Sequence, residues 1–217
     1  IRPEDVAAAI KPTTILVACM HANNETGAIN NIAEIARVVK TRAGSRDIFM
    51  FSDTVQSFGK IPLRLCDYGI DGASISFHKL HGPPGVGAAF IRRTYLEGFP
   101  ALLHGTQSAG LRGGTENVPG IGAAFAATRA VLERRAETEA HERALKEHLI
   151  ARLGALAPVA AIDAYMTARE KLELQIVLIA NGASVCDATQ YLPGTLMLSV
   201  AKHIGSSACN SLIKDKL

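Results

Sequence analysis

One lysine in the sequence stands between two histidines at the end of an apolar run, in the segment SISFHKLHGPPGVGAAF. The run before Lys79 is typical of a buried strand, and the Gly-Pro turn after it leads to a second apolar run. A lysine in a loop is usually a solvated charge. A lysine amine held at a strand end can instead form a Schiff base with a carbonyl compound, which is the chemistry this position suggests.

Further polar side chains follow two other strand-like runs. Asn24 comes after the first run, Asp53 and Gln56 come after the second, and Ser76 and His78 directly precede Lys79. Taken singly, asparagine and aspartate at these places are ordinary turn residues. In an open α/β sheet, however, ligands bind beyond the carboxyl ends of the strands. Side chains from three strand ends are therefore predicted to face one crevice.

The combined set matches the needs of pyridoxal phosphate. Lys79 supplies the amine, and the Asp53 carboxylate can keep the pyridine nitrogen protonated so that the ring acts as an electron sink. Donors suited to the phenolic oxygen and the phosphate complete the set: Gln56 or Asn24 for the oxygen, and Ser76 and His78 for the phosphate.

The elements that must position these residues indicate an α/β domain. The run TTILVACM, residues 13–20, predicts a strand buried on both faces. Asn30 or Asn31 is predicted to cap a helix with apolar residues at helical spacing. Three more strands are predicted from DIFMF, GASISF and VGAAFI, and strands alternating with a helix indicate a parallel or mixed sheet.

A long helical pattern, from Pro119 to about Leu156, divides the rest of the chain. Its charged middle, ERRAETEAHERALKEH, is typical of a solvated helix face. We therefore predict three parts: a cofactor-binding part of a large α/β domain at 1–122, a connecting helix at 123–157, and a smaller carboxyl-terminal domain at 158–217.

Composition limits the function classes. The chain has 217 residues, 48% hydrophobic and 20% charged, which is enough for a sizeable core. A net charge of +3 gives no case for nucleic acid or a membrane surface. Four cysteines without CxxC spacing predict a reducing compartment, cytoplasmic or mitochondrial, and no metal site is predicted. The start at Ile1 reads like the middle of a domain, so a partial chain is expected.

Four segments resemble consecutive blocks of the class V aminotransferase fold: MHANNETG, FSDTVQSFGKIPL, SISFHKLHGPPGVGAAFIRR and GLRGGTENVPGI. Within it they are similar to the NifS-type cysteine desulfurases and the selenocysteine lyases. The resemblance covers residues 1–122, and the later HIGSSACNS resembles the loop around the family's catalytic cysteine. It implies a fold-type I pyridoxal-phosphate-dependent transferase, with part of a large mixed or parallel-sheet domain followed by a smaller α+β domain.

The resemblance also implies a role for each matching residue. Lys79 would bind the cofactor covalently, and Cys209 would accept sulfur or selenium. Thr115 would reach the phosphate of the partner subunit's cofactor, which implies a homodimer. The other cofactor contacts are implied at the pyridine nitrogen, the ring oxygen and the phosphate: Asp53; Asn24 and Gln56; Ser76 and His78.

The expected activity is removal of sulfur or selenium from L-cysteine or L-selenocysteine, giving L-alanine through a persulfide on Cys209. A sulfur acceptor, such as a scaffold protein of iron–sulfur cluster biogenesis, is the expected partner. Two alternatives stay open: a non-catalytic truncated paralogue, and another class V enzyme such as an aminotransferase or a kynureninase-like hydrolase.

Several differences from the family pattern favour the truncated paralogue. HGTQS replaces the usual GGGQE, and Ala109 stands at a usual arginine. Cys209 follows the LPGTLMLSV segment sooner than expected. The family's amino-terminal phosphate turn, its ring-stacking histidine and its carboxyl-terminal arginine have no counterpart within residues 1–217. Retention of Lys79, Asp53 and Cys209 together favours an enzyme.

Overall fold

The computed structural model describes residues 1–101, 103–155, 159–161, 177–181 and 188–201. The chain forms two compact units. The first comprises Ile1–Ala22 and Asn30–Glu137, and the second comprises Asn23–Ile29 and Thr138–Leu217. The predicted domain boundaries at 122 and 157 stay a prediction. No helix in the described part of the chain is long and apolar enough to cross a membrane.

The first unit is built on a four-stranded mixed sheet. Its strands are β1 (Leu16–Met20), β2 (Phe49–Asp53), β3 (Gly72–Ser76) and β4 (Gly87–Ile91), in that spatial order. The first three are parallel, and β4 is antiparallel to β3. The α/β fold class with a mixed sheet, predicted from the alternation of elements, is confirmed.

Helices accompany this sheet and extend beyond it. They are α1 (Pro3–Ala9), α2 (Ile32–Ala43), α3 (Arg93–Leu96) and α4 (Val118–Gly154). A short 3-10 turn, Phe77–Leu80, follows β3 directly. The long helix predicted from Pro119 to about Leu156 is therefore present with nearly the predicted bounds.

Helix α2 begins and ends for local reasons. The Asn31 side chain accepts a hydrogen bond from the Glu34 amide at 3.1 Å, which satisfies one of the free donors of the first turn. Gly44 follows the helix with a φ of 61°, a conformation that favours glycine. Asn31, one of the two predicted caps, is thus the cap.

The apolar side of α2 covers one face of the sheet. Ile35 and Val39 are fully buried there against Cys19, Met50 and Ala73, one from each of the first three strands. Burying side chains of this size supplies about 1.5–3 kcal/mol each. The position of the sheet under α2 is therefore fixed by packing.

The other face of β1 is open, so the predicted burial of this strand on both faces is wrong. Leu16 is 53% exposed and Met20 is 37% exposed. Among the described residues the helical layer covers only the face that bears Cys19. Because side chains alternate along a strand, an apolar run is buried on both faces only when both are covered.

A buried carboxylate ties the sheet to α2 just before β3 begins. Asp71 accepts hydrogen bonds from Lys40 Nζ at 2.5 Å and from the Met50 amide at 2.8 Å. Its backbone pairs with both neighbouring segments, through Met50 O and the Arg92 amide. These bonds fix where β3 begins relative to the neighbouring segments.

The second unit contains a three-stranded sheet of β5 (Val159–Ala161), β6 (Val177–Asn181) and β7 (Met197–Ala201). β5 and β6 are parallel, and β6 and β7 are antiparallel. The early segment 23–29 joins this unit through hydrogen bonds from the Ile29 amide to Gln190 O and from the Leu192 amide to Gly27 O, both 2.8 Å.

Candidate active site

The strand register brings the first polar residues together at one sheet edge. Asp53 is the last residue of β2 and pairs with Met20 of β1 and Ser74 of β3. Side chains of paired residues in neighbouring strands point to the same face, and every second residue along a strand repeats that direction. Asp53, Ser74 and Ser76 therefore lie on the open face of the sheet, at its carboxyl edge.

The turn after β2 presents Asp53 and Gln56. Asp53 is exposed, and its Oδ1 accepts a hydrogen bond from the Val55 amide at 2.9 Å. Lys60 Nζ donates to Gln56 Oε1 at 3.0 Å. Because an ammonium can only donate, this contact fixes the amide with its NH2 group as the free end. Gln56 therefore offers a donor to a ligand oxygen.

The turn after β3 presents a hydroxyl, an imidazole and an amine. Ser76 Oγ and His78 Nδ1 are 2.7 Å apart and share a hydrogen bond. Lys79 is exposed, and its side chain makes no hydrogen bond or ion pair with any residue in the described ranges. The Gly82 amide closes the turn on Phe77 O at 2.9 Å, and a Cβ on Gly82 would lie 2.8 Å from the same oxygen.

We call the five residues that the first unit presents at these two turns the strand-end cluster: Asp53, Gln56, Ser76, His78 and Lys79. The structure places all five at the carboxyl ends of adjacent strands, where the sequence predicted that they would lie. No group of three or more metal-ligating side chains occurs within the described residues.

Two predicted cofactor contacts are not among the five residues of the strand-end cluster. Asn24 is exposed on a turn of the second unit, and that turn is organised by Asn23, whose Oδ1 accepts hydrogen bonds from the Glu25 and Thr26 amides. Thr115 is exposed in the loop that precedes α4. The roles of Asn24 at the ring oxygen and of Thr115 at a partner's phosphate stay predictions.

The loop before Thr115 is held by one carboxylate. Glu116 Oε1 accepts hydrogen bonds from the Ser108 amide at 3.0 Å and from Ser108 Oγ at 2.9 Å, and Arg112 pairs with its other oxygen. The Ser108 hydrogen bond, followed by the Arg112 charge, lowers the pKa of Glu116. Ser108 and Ala109 both have positive φ, at 49° and 57°, so the chain is strained where HGTQS departs from the family pattern.

The cysteine predicted to accept sulfur, Cys209, lies outside the described residues, and so does Cys186. The two cysteines within the described ranges differ in environment: burial raises the pKa of the Cys19 thiol, whereas Cys66 is exposed. Neither belongs to the strand-end cluster.

Two features of the site were not predicted. Lys60 orients Gln56, and its only sequence signal is its place one helical turn after Gln56 in VQSFGK. His21 hydrogen-bonds Ser57 beneath the cluster, and nothing in MHANNETG distinguishes this histidine from an ordinary buried residue.

A mixed α/β sheet with a lysine and a carboxylate at adjacent strand ends is the arrangement expected of a fold-type I pyridoxal-phosphate enzyme. The chain belongs to the aminotransferase class-V family, because residues 1–193 match that family. This family and the cysteine desulfurases within it are pyridoxal-phosphate dependent.

Within the class-V family, the chain is similar to curated cysteine desulfurases. The chain is 39% identical over 215 residues to the cysteine desulfurase IscS of Anaeromyxobacter dehalogenans, covering 98% of this chain and 46% of that protein. It is 38% identical over 141 residues to the putative cysteine desulfurase NifS of Bacillus subtilis, covering 65% of this chain and 34% of that one. The chain therefore spans less than half the length of these relatives. The predicted resemblance to NifS-type cysteine desulfurases is confirmed.

Solved structures of related proteins have the same fold as this chain. A NifS-like protein superposes with a TM-score of 0.71 at 32% identity, covering 100% of this chain and 52% of that one. SspA, solved in complex with cysteine, superposes with a TM-score of 0.67 at 26% identity, covering 100% of this chain and 51% of its own. The predicted fold class is confirmed by these neighbours.

The donor set of the strand-end cluster fits pyridoxal phosphate. It contains one carboxylate for the ring nitrogen, one amide NH2 for the ring oxygen, a hydroxyl–imidazole pair for the phosphate, and one amine without a partner among the described residues. The ring nitrogen, the ring oxygen, the phosphate and the aldehyde of the cofactor thus each have a complementary group in this unit.

Proposed function

We propose that the protein containing this chain is a pyridoxal-phosphate-dependent cysteine desulfurase, which takes sulfur from L-cysteine and leaves L-alanine. The observation that carries the proposal is the strand-end cluster, with Lys79 one residue after the hydrogen-bonded Ser76–His78 pair and across the sheet edge from Asp53. The 39% identical relative named cysteine desulfurase supports the choice of substrate.

In this proposal each residue of the cluster has one task. Asp53 holds a proton on the pyridine nitrogen by charge pairing. Gln56 donates to the ring oxygen, joined by Asn24, and Ser76 with His78 binds the phosphate. Thr115 serves the phosphate in a partner subunit, so a homodimer is part of the proposal. When bound, the cofactor supplies an electron sink for the substrate α-carbon.

Two residues move protons or atoms of the substrate. The Lys79 amine, when neutral, takes the proton from the α-carbon and can return it. Cys209, as thiolate, attacks the substrate sulfur, so that a Cys209 Sγ–S bond forms while the C–S bond breaks. The carbon keeps the electron pair and gains a proton to become the methyl group of alanine. The sulfur is oxidised to the persulfide level as the carbon is reduced.

Selenocysteine is a second candidate substrate, because the segments GGTEN and IGSSACNS resemble those of the selenocysteine lyases slightly more than those of the cysteine desulfurases. Delivery of sulfur to an acceptor, such as a scaffold protein for iron–sulfur clusters, is proposed as the fate of the persulfide. The departures at HGTQS and Ala109 support the competing non-catalytic paralogue.

Alanine production from L-cysteine and from L-selenocysteine tests the proposal, with Cys209→Ala compared with Cys186→Ala. Cys186 precedes Asp187, whose negative charge makes a thiolate less favourable, so Cys186→Ala is the matched control. We expect Cys209→Ala to abolish alanine formation from cysteine and Cys186→Ala to leave it nearly intact. Full activity on cysteine in Cys209→Ala would refute the persulfide step, and no turnover in any form would favour the paralogue.

A further inference from the structure

The segment that carries Asp53 and Gln56 is held at both ends by one buried residue, His21. The His21 amide donates to Asp53 O at 2.8 Å, at the start of the segment. The His21 ring reaches the other end, where its Nδ1 lies 2.9 Å from Ser57 Oγ. His21 is 5% exposed and Ser57 is fully buried.

The contacts of Ser57 Oγ are met by one set of donors and acceptors. Ser57 Oγ lies 3.2 Å from Thr54 O, which can only accept, and the hydroxyl can donate there. With its proton used in that bond, the same oxygen accepts from His21, which requires the ring tautomer with hydrogen on Nδ1. Burial lowers the pKa of His21 below its usual value near 6.5, which favours the neutral ring.

The same segment is also tied to the strand that leads to Lys79. Thr54 donates to Ser74 O through its Oγ1 at 2.7 Å and through its amide at 3.1 Å. Ser74 stands two residues before Ser76 on β3. His21, Ser57 and Thr54 thus link the turn bearing the carboxylate to the strand bearing the phosphate donors.

We propose that His21 and Ser57 are positioning residues for Asp53 and Gln56. This inference rests on the proposed function, in which Asp53 must face the pyridine nitrogen and Gln56 the ring oxygen. A group that acts on a bound ring must be held within about 0.5 Å, and that precision comes from supporting hydrogen bonds beneath it. Replacing Ser57 with alanine does not change Asp53 or Gln56 themselves. It removes hydrogen bonds that hold the turn in which both residues lie, so their side chains are less precisely oriented.

An ordinary buried hydrogen bond is the competing explanation, and it would affect stability alone. The chain offers a matched control in Ser52, the residue before Asp53. Ser52 is as fully buried as Ser57, but its hydroxyl has no hydrogen-bond partner among the described residues. Ser52→Ala and Ser57→Ala therefore each delete one buried hydroxyl, and only Ser57→Ala deletes hydrogen bonds, those with His21 and Thr54 O.

The first measurement needs no cofactor. The Phe58 amide donates to Thr54 O at 2.9 Å, and its hydrogen exchange reports whether the turn opens. We expect Ser57→Ala to speed this exchange about tenfold, as the loss of one net hydrogen bond of about 1.4 kcal/mol implies, and Ser52→Ala to leave it unchanged. Equal exchange in the two variants would overturn the inference.

The second measurement uses the protein loaded with pyridoxal phosphate. We expect Ser57→Ala to shift the pH midpoint of the cofactor's visible absorption and to lower turnover about ten- to hundredfold, the usual penalty for misplacement near 1 Å. In the protein with Ser57 intact, His21→Asn should keep most of the unmodified pH midpoint and turnover, because an asparagine amide can occupy the position of Nδ1, whereas His21→Gln should not.

Different results would contradict the proposed function and the positioning role of His21 and Ser57. Absence of a borohydride-fixed pyridoxyl label on Lys79 in the unmodified protein would contradict the proposed function. A normal label, with the same spectrum and turnover in Ser57→Ala as in Ser52→Ala, would contradict only the positioning role of His21 and Ser57.

Discussion

On one face of the first sheet, Cys19, Met50 and Ala73 are buried against α2, whereas on the opposite face Asp53 and Ser76 lie open at the strand ends. The same strands supply both sets, because successive side chains point to opposite faces. The buried face contributes stability through packing, and in the proposed function the open face contributes groups for the cofactor. Substitutions on the two faces should therefore have separable effects.

The largest expected effect is a loss of stability on the buried face. Ile35 is fully buried beneath the sheet, and Ile35→Ala should lower the free energy of unfolding by about 2–5 kcal/mol through lost burial and a cavity. Urea unfolding measures it. Leu16→Ala, at a residue 53% exposed on the open face, is the control and should cost much less. Equal losses would mean that the two faces are packed alike.

The next effect falls on the open face. Asp53→Asn keeps the size of the side chain and removes its charge, which deletes a charge-assisted contact of about 1.5–3 kcal/mol. Turnover should fall roughly ten- to hundredfold while bound cofactor falls less. Steady-state kinetics and quantification of bound cofactor on the same preparation distinguish a loss of turnover from a loss of cofactor. Unchanged turnover in a cofactor-loaded Asp53→Asn protein would exclude the assigned role.

A smaller effect is expected at the phosphate donors. Ser76→Ala removes the hydroxyl that is 2.7 Å from His78 Nδ1. Cofactor affinity, measured by fluorescence titration, should weaken about two- to tenfold, as loss of a single hydrogen bond of about 0.5–1.5 kcal/mol predicts. Ser74→Ala, two residues earlier on the same sheet face, is the control. If both variants bind equally well, Ser76 does not contact the phosphate.

The smallest expected effect is a pH dependence of the free energy of unfolding, caused by the buried His21. Burial lowers the pKa of His21, so the unfolded chain binds its proton more readily than the folded one. His21 should therefore reduce stability as pH falls from its usual value near 6.5 towards its lower folded pKa, with no further change below. Comparing urea midpoints across this range with those of His21→Asn isolates the contribution. Identical pH profiles would contradict it.

The sequence predicted the main elements because strands and helix are coded locally. Apolar runs ending in polar residues located β1 to β4, and Asn31 located α2. Strand β2 extends two residues beyond its predicted end, to Asp53, because the Asp53 carbonyl still bonds the neighbouring His21 amide. Burial of β1 on both faces was predicted wrongly, since it depends on what packs against the sheet.

The same distinction holds within the site. The strand-end cluster was predictable, because parallel strands bring their carboxyl ends to one edge. The contacts that orient it were not. His21 and Ser57 are 36 residues apart in sequence, and their hydrogen bond depends on packing that no local pattern encodes. Lys60 and Gln56 are close in sequence, yet many such pairs make no contact.

The most direct test of the central claim is borohydride reduction of the protein incubated with pyridoxal phosphate, followed by peptide mapping. Reduction fixes the cofactor on the amine that holds it. The account predicts a pyridoxyl group on Lys79, exposed in the turn after β3 beside Ser76 and His78. Lys60, whose amine already binds Gln56, is the internal comparison and should stay unlabelled. A label on another lysine, with none on Lys79, would contradict the account.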